Sequence, residues 1–189
     1  MEVLSKALVT AFSVIFCINS SNTSRVVNNP EVMQKPDVRS WYEGHLQSSD
    51  YIPVQSWNSK EVIYSPVTID IDYNYEWPKG KGKCYASAAF YRKSSKICIN
   101  CNIPDLDYLL RHEQGHFDLA EYETRLVNNR IIDVTDWKTV NKICLQHINQ
   151  LDSLSRWYDI ETDYSNNKVQ QAKWRRKIDD LMNSLTGTK

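Results

Sequence analysis

The clearest alternation of hydrophobic and polar residues lies between Val67 and Tyr75. Its apolar members occupy every second position: Val67, Ile69, Ile71, Tyr73 and Tyr75. This period is typical of a β-strand with one buried face. A short apolar segment at 61–64 and a segment rich in small residues at 84–91 predict two further strands. The pattern favours an antiparallel or mixed sheet.

Helical periodicity replaces this alternation further along the chain. A helix is predicted from Asp105, whose charge suits a helix N-terminus, to about residue 127, where Asn128 favours termination. Its inner stripe is predicted to be Leu109, His112, His116, Leu119, Ala120, Glu123 and Val127. Two more helices are predicted over 137–158 and 168–185. Strands followed by helices predict an α+β domain.

Two histidines of this stripe carry the strongest chemical signal in the chain. His112 and His116 are four positions apart, and Glu113 follows the first of them. Residues at this spacing lie one helical turn apart, so both imidazoles can point at one ion. The H-E-x-x-H pattern is typical of zinc hydrolases, in which the glutamate deprotonates a water molecule that the metal acidifies. It predicts Zn²⁺ as cofactor, two histidine ligands and Glu113 as general base.

The surrounding residues extend this motif into a family resemblance. Residues 110–121 read LRHEQGHFDLAE, and this segment resembles the signature of the DUF922 family, which comprises predicted secreted zinc-dependent proteases of bacteria. The small-residue strand at 86–90 and the YDIETDYS segment at 158–165 also resemble family motifs. The likeness spans roughly residues 40 to 185 and implies a zincin-like fold. Where the family pattern has a histidine, this chain has Tyr164.

A catalytic zinc ion needs a third protein ligand, and the sequence leaves its identity open. Tyr164 occupies the family position, although phenolate is an uncommon ligand. His147 has the right chemistry and lies on the apolar stripe of the second predicted helix. Asp159 offers a carboxylate, which would alternatively orient a ligand histidine. Glu123 lies about 10 Å along the helix axis from His116, which is too far for direct ligation.

Two further residues are predicted to support such a centre. Asp118 points away from the histidine face, which favours a solvated carboxylate or one that supports the ligands indirectly. Tyr158 is predicted to support the ligands or to donate a hydrogen bond to the oxyanion of the reaction.

The N-terminus is typical of an export signal. Lys6 precedes an apolar segment at 7–18 that is too short to span a bilayer comfortably. We therefore predict a signal peptide at 1–20, a flexible leader at 21–36 and the zincin-like domain at 37–189. The protein is expected in the periplasm or outside the cell. Cys17 would permit a lipoprotein anchor, but the bulky residue before it disfavours one.

Four cysteines remain beyond the signal: Cys84, Cys98, Cys101 and Cys144. In an exported chain this even number permits two disulfides with three possible pairings. The single Cys-x-x-Cys spacing lacks the second pair that a four-cysteine zinc site needs. We expect structural disulfides or partly buried thiols rather than catalytic cysteines.

Charge balance narrows the possible partners. The chain has 23 basic and 23 acidic residues, which argues against nucleic acid and an anionic membrane as partners. The leading hypothesis is an exported zinc metallopeptidase that acts on a peptide or protein. The alternative is an inactive zincin-like module with a binding or structural role in the envelope, because Tyr164 replaces the family histidine. Metal storage or sensing is a weaker third hypothesis, since it gives Glu113 no purpose.

Overall fold

A computed structural model describes residues 37–55, 62–76, 81–103, 105–134 and 136–185. The predicted signal peptide and leader lie outside these residues. Within them, six strands precede three helices: β1 Val38–Ser40, β2 Ile52–Val54, β3 Ile63–Tyr64, β4 Val67–Glu76, β5 Lys81–Tyr91, β6 Lys96–Cys98, α1 Leu106–Ile131, α2 Trp137–Glu161 and α3 Lys168–Ser184. The predicted α+β class is confirmed. None of the helices in these ranges is long and apolar enough to cross a membrane.

The strands form two small sheets. The first has the order β1-β5-β4 and is antiparallel throughout. The second has the order β2-β6-β3, and its β2–β6 pair is parallel. Ile69 of β4 pairs with Ala88 of β5, and both are buried. The small side chains of Ala86 and Ala88 let α1 pack closely on β5.

Helix α1 is buried on all sides over its middle part. Asp105 caps its N-terminus by accepting a hydrogen bond from the Tyr108 N–H at 2.9 Å. The predicted inner stripe is buried, as expected, but so is every residue from His112 to Glu121. The sheet and α2 pack against part of the helix, and residues 41–50 with α3 pack against the rest. We call residues 41–50 the N-terminal loop.

The predicted end of α1 is wrong, because the helix continues through Asn128 to Ile131. The Asn128 side chain accepts a hydrogen bond from the Ala86 N–H at 2.8 Å and donates one to the Ala86 carbonyl at 2.9 Å. Strand β1 pairs with β5 only from Ala89 onwards. Beyond the end of β1, the Asn128 side chain therefore pairs with the backbone N–H and carbonyl of β5, as a neighbouring strand would, and it does not end the helix.

The N-terminal loop is organised around one buried guanidinium. Nη1 of Arg39 donates to both carboxylate oxygens of Asp50 at 2.6 Å. Its Nη2 donates to three successive loop carbonyls, those of Glu43, Gly44 and His45. Arg39 and Asp50 are both buried, so neither charge has solvent as an alternative partner.

This ion pair gives a pH-dependent stability. Burial by itself raises the pKa of Asp50. Hydrogen bonds from the Gln47 backbone and from Arg39 lower this pKa by a larger amount, so the net shift is downward. A carboxylate with a lowered folded-state pKa stabilises the protein above its unfolded pKa, about 3.9, and loses this contribution as pH falls. We expect Asp50→Asn to reduce the free energy of unfolding by about 3 kcal/mol at pH 7 and by less at pH 3.

Urea unfolding followed by circular dichroism measures this effect. Asp180→Asn, at an exposed position of α3, is the matched control and is expected to change stability little at either pH. An equal loss for Asp50→Asn at both pH values would contradict the assigned ion pair.

The four cysteines among the described residues form one disulfide. Cys98 and Cys101 are bonded to each other, whereas Cys84 and Cys144 are buried and take no part in a disulfide. Of the two disulfides that four cysteines permit, one is present, and the other two cysteines are buried thiols, in line with the expectation of structural disulfides or partly buried thiols. Cys84 on β5 and Cys144 on α2 both belong to the hydrophobic core, where they act as small apolar side chains.

Candidate metal centre

Three donor atoms from two helices converge beside the first sheet. Nε2 of His112 and Nε2 of His116 lie 3.2 and 2.9 Å from the same Asp159 carboxylate oxygen. The donors of the three residues lie within 4.8 Å of one another, and all three residues are buried. We call this group the His-His-Asp cluster. It could hold a metal ion, with α1 supplying two donors and α2 the third.

The charges of the cluster favour a cation between its members. Burial raises the pKa of Asp159, but the neighbouring His116 and His112 outweigh it and lower this pKa to about 2. Burial by itself lowers the pKa of His116. The carboxylates of Asp159 and Glu113 raise this pKa by a larger amount, so the net shift is upward. The two carboxylates thus stabilise positive charge at the His116 imidazole, and a divalent ion would satisfy the same requirement.

Three buried side-chain atoms of the motif itself lack a hydrogen-bond partner. Within the described part of the chain, Glu113 Oε1 and Nδ1 of both cluster histidines are buried without a hydrogen-bond partner. Glu113 is only 1% exposed. Such unpaired atoms cost about 1–3 kcal/mol each, more when charged, and a buried carboxylate therefore calls for a functional explanation. Two imidazole nitrogens and a carboxylate oxygen are donors that Zn²⁺ accepts, so the residues fit the predicted metal.

Tyr158 packs directly behind the cluster. Its hydroxyl donates to the His112 carbonyl oxygen at 3.3 Å, and its ring lies against Gly115. A Cβ atom at position 115 would meet three atoms of this tyrosine at 2.5 to 2.8 Å, which explains the glycine inside the motif. The hydroxyl is thus bonded to the helix backbone. This geometry favours the predicted role of Tyr158 in supporting the ligands over its predicted role as hydrogen-bond donor to the oxyanion.

Asp118 belongs to a different network. It does point away from the cluster histidines, but it is buried rather than solvated. Its carboxylate accepts hydrogen bonds from the Trp41 indole and the Gln114 amide, each at 2.7 Å, and forms an ion pair with Arg175. Gln114 also accepts the Leu46 N–H at 2.8 Å. Asp118 therefore joins α1 to α3 and to the N-terminal loop instead of supporting the cluster.

His147 is excluded as the third member by its own partners. Its Nδ1 lies 2.6 Å from Glu123 Oε2, and its Nε2 lies 3.1 Å from Arg130 Nη1. Both His147 and Glu123 are buried. The crossing of α2 over α1 places this histidine opposite Glu123, two helical turns beyond His116, so it forms a separate buried contact between the helices.

Tyr164 lies in the turn that follows α2. Asp163, Tyr164 and Ser165 have φ angles of 48°, 51° and 73°, three successive left-handed residues without a glycine. Each left-handed residue costs about 1–2 kcal/mol, so the turn needs hydrogen bonds that stabilise this conformation. One such bond runs from the Tyr164 N–H to the Asp159 carbonyl at 2.8 Å. The Tyr164 backbone thus fixes the backbone of Asp159. The Asp159 carboxylate is the group that contacts both cluster histidines.

Two shallow cavities of about 190 and 220 Å³ lie on the other side of α1 from the cluster, and both are lined by His45 and Gln114. The cluster itself is nearly closed. The His116 and Asp159 side chains keep 7% and 8% exposure, and His112 keeps none. Among the described residues, the small solvent exposure of the cluster therefore comes from His116 and Asp159.

Comparison with protein-family models, curated proteins and solved structures finds no significant match to this chain. The resemblance to the DUF922 family and the zincin-like fold stay predictions.

Proposed function

We propose that this protein is an exported zinc-dependent hydrolase that cleaves peptide bonds. The observation that carries the proposal is the buried carboxylate of Glu113 within the same motif as the cluster histidines, whose Oε1 has no hydrogen-bond partner among the described residues. A cluster that only stored a metal would not need a second buried acid. The Cys98–Cys101 disulfide supports the exported location, because such bonds persist mainly in oxidising compartments.

Each residue has a defined task in this reaction. His112, His116 and Asp159 would hold Zn²⁺, which when bound supplies a Lewis acid that polarises a carbonyl and lowers the pKa of water to about 7. Glu113 accepts the proton of the attacking water through its free carboxylate oxygen and delivers it to the leaving amine.

Metal removal tests the proposal directly. Dialysis against a chelator is expected to remove one zinc ion per chain and to abolish cleavage of quenched fluorescent peptides. Restored Zn²⁺ should return the activity, whereas Mg²⁺ should not, since it prefers oxygen donors. Metal content by mass spectrometry and peptide fluorescence are the two measurements. Full cleavage by the metal-free protein, or no zinc bound at micromolar concentration, would contradict the proposal.

The alternative function is a non-catalytic module of the envelope in which a metal joins α1 to α2. The burial of Glu113 favours it, because the attacked peptide bond must come close to the general base during hydrolysis. This alternative predicts that zinc raises the melting temperature and that no peptide in a diverse library is cleaved. The proposed hydrolase predicts the same stabilisation together with cleavage.

A further inference from the structure

The cluster histidines lack the hydrogen bonds that usually orient metal ligands. A metal-bound imidazole normally donates its second nitrogen to a carboxylate, carbonyl or water, which fixes the ring. In the part of the chain that the structure describes, Nδ1 of His112 and Nδ1 of His116 are buried and have no such partner. Another contact must therefore set the orientation of both rings.

One aromatic ring contacts both imidazoles. The Tyr158 ring stacks on His112 with centroids 4.5 Å apart and planes 19° apart. It meets His116 edge-on, at 5.0 Å and 69°. The two imidazoles are themselves nearly perpendicular, at 86°. A single flat side chain thus defines two different ring planes.

We propose that Tyr158 is the positioning residue of the centre, holding both imidazoles by ring contact in place of hydrogen bonds. The inference rests on the proposed metal-binding function. Asp159 follows Tyr158 directly in α2, so a displacement of this turn would move the carboxylate together with both rings. Tyr158 itself is immobilised, since it is 2% exposed and wedged between Gly115 and Trp174, whose ring lies 5.4 Å away.

Two substitutions distinguish the contribution of the Tyr158 ring from that of its hydroxyl group. Tyr158→Phe keeps the flat ring and loses only the bond to the His112 carbonyl, so its zinc affinity should remain close to that of the wild type. Tyr158→Leu keeps an apolar side chain but removes the plane, and its zinc affinity should fall about 10–100-fold, the usual effect of losing an orienting contact. Competition with a chromophoric chelator measures both affinities.

A matched control separates positioning from general loss of stability. Leu151→Ala removes a buried side chain of the same helix about two turns before Tyr158, and Leu→Ala substitutions in cores cost about 2–5 kcal/mol. It is expected to destabilise the protein at least as much as Tyr158→Leu and to leave zinc affinity unchanged. Equal losses of affinity in the two variants would overturn the inference.

Gly115→Ala approaches the same contact from the other helix. The added methyl group would press on the Tyr158 ring, so zinc affinity should fall in the wild-type background. In the Tyr158→Leu background the obstructing ring is gone, and the same substitution should cost much less. Additive effects of the two substitutions would contradict a direct contact.

A measurement on the metal-free protein keeps this inference distinct from the proposed function. A stacked ring shifts the imidazole proton resonances of His112 in nuclear magnetic resonance spectra. These shifts should persist in Tyr158→Phe and Leu151→Ala and disappear in Tyr158→Leu. If the wild type bound no zinc, the proposed function would fail, and these spectra would still decide the positioning role. Unchanged His112 shifts in Tyr158→Leu would refute it.

Discussion

Glu113→Gln is expected to abolish peptide hydrolysis while the protein keeps its zinc. Glutamine has the size and shape of glutamate, but its amide does not accept a proton from water. General-base catalysis contributes about 10²–10⁴-fold to a rate, so the loss should lie in this range or above. Metal affinity should change little, because Glu113 is not one of the three donors of the cluster.

The matched control for this substitution is Glu121→Gln. Glu121 is another buried acid of α1, two turns further on, and it pairs with Arg125 and Tyr42. Its replacement removes a buried negative charge from the same helix without touching the cluster, so the rate should be retained at temperatures where the variant is folded. Cleavage at the wild-type rate by the Glu113 variant would show that another group activates the water.

Asp159→Ala is expected to eliminate tight zinc binding, whereas His147→Ala and Tyr164→Phe should preserve it. The carboxylate of Asp159 lies beside both imidazole Nε2 atoms, while His147 is bonded to Glu123 and Arg130. Removing one donor of three leaves too few ligands for a stable zinc site. His112→Ala should lose zinc in the same way.

Zinc stoichiometry on the purified variants measures this outcome, with unfolding curves recorded beside it. His147→Ala leaves the Glu123 carboxylate buried without its partner, so it should be destabilised by about 1–3 kcal/mol and still bind one zinc ion. Zinc retained by Asp159→Ala but lost by His147→Ala would reverse the assignment of the third donor.

The sequence predicts the main elements because each depends on local patterns. Strand β4 and the stripe of α1 follow from side-chain periodicity alone: Ile69 is buried, Val67 and Ile71 pack against the core, and the α1 stripe is buried as expected. Burial of Gln114 and Asp118 was not predictable in this way. Their partners Leu46 and Arg175 come from distant parts of the chain, and periodicity carries no information about such contacts.

The third donor illustrates the same limit. Asp159 and His147 both have suitable chemistry and both lie on the inner side of α2, twelve positions apart. Which of them meets the histidines depends on where α2 crosses α1, and this crossing is set by packing of the whole interface. Asn128 shows a related limit, since its preference for helix ends is overridden by two hydrogen bonds to Ala86.

The complete burial of α1 between His112 and Glu121 has a consequence for how the centre behaves over time. Amide hydrogens in such a segment exchange with solvent mainly when the whole domain unfolds. We therefore expect the two imidazoles to be anchored to a segment whose amides exchange slowly. Asp159 lies near the C-terminal end of α2, beside a partly exposed left-handed turn, where we expect amides to exchange through local opening. Entry and release of an ion would accordingly depend on fluctuations near Asp159 and not on fluctuations of the α1 segment that carries His112 and His116.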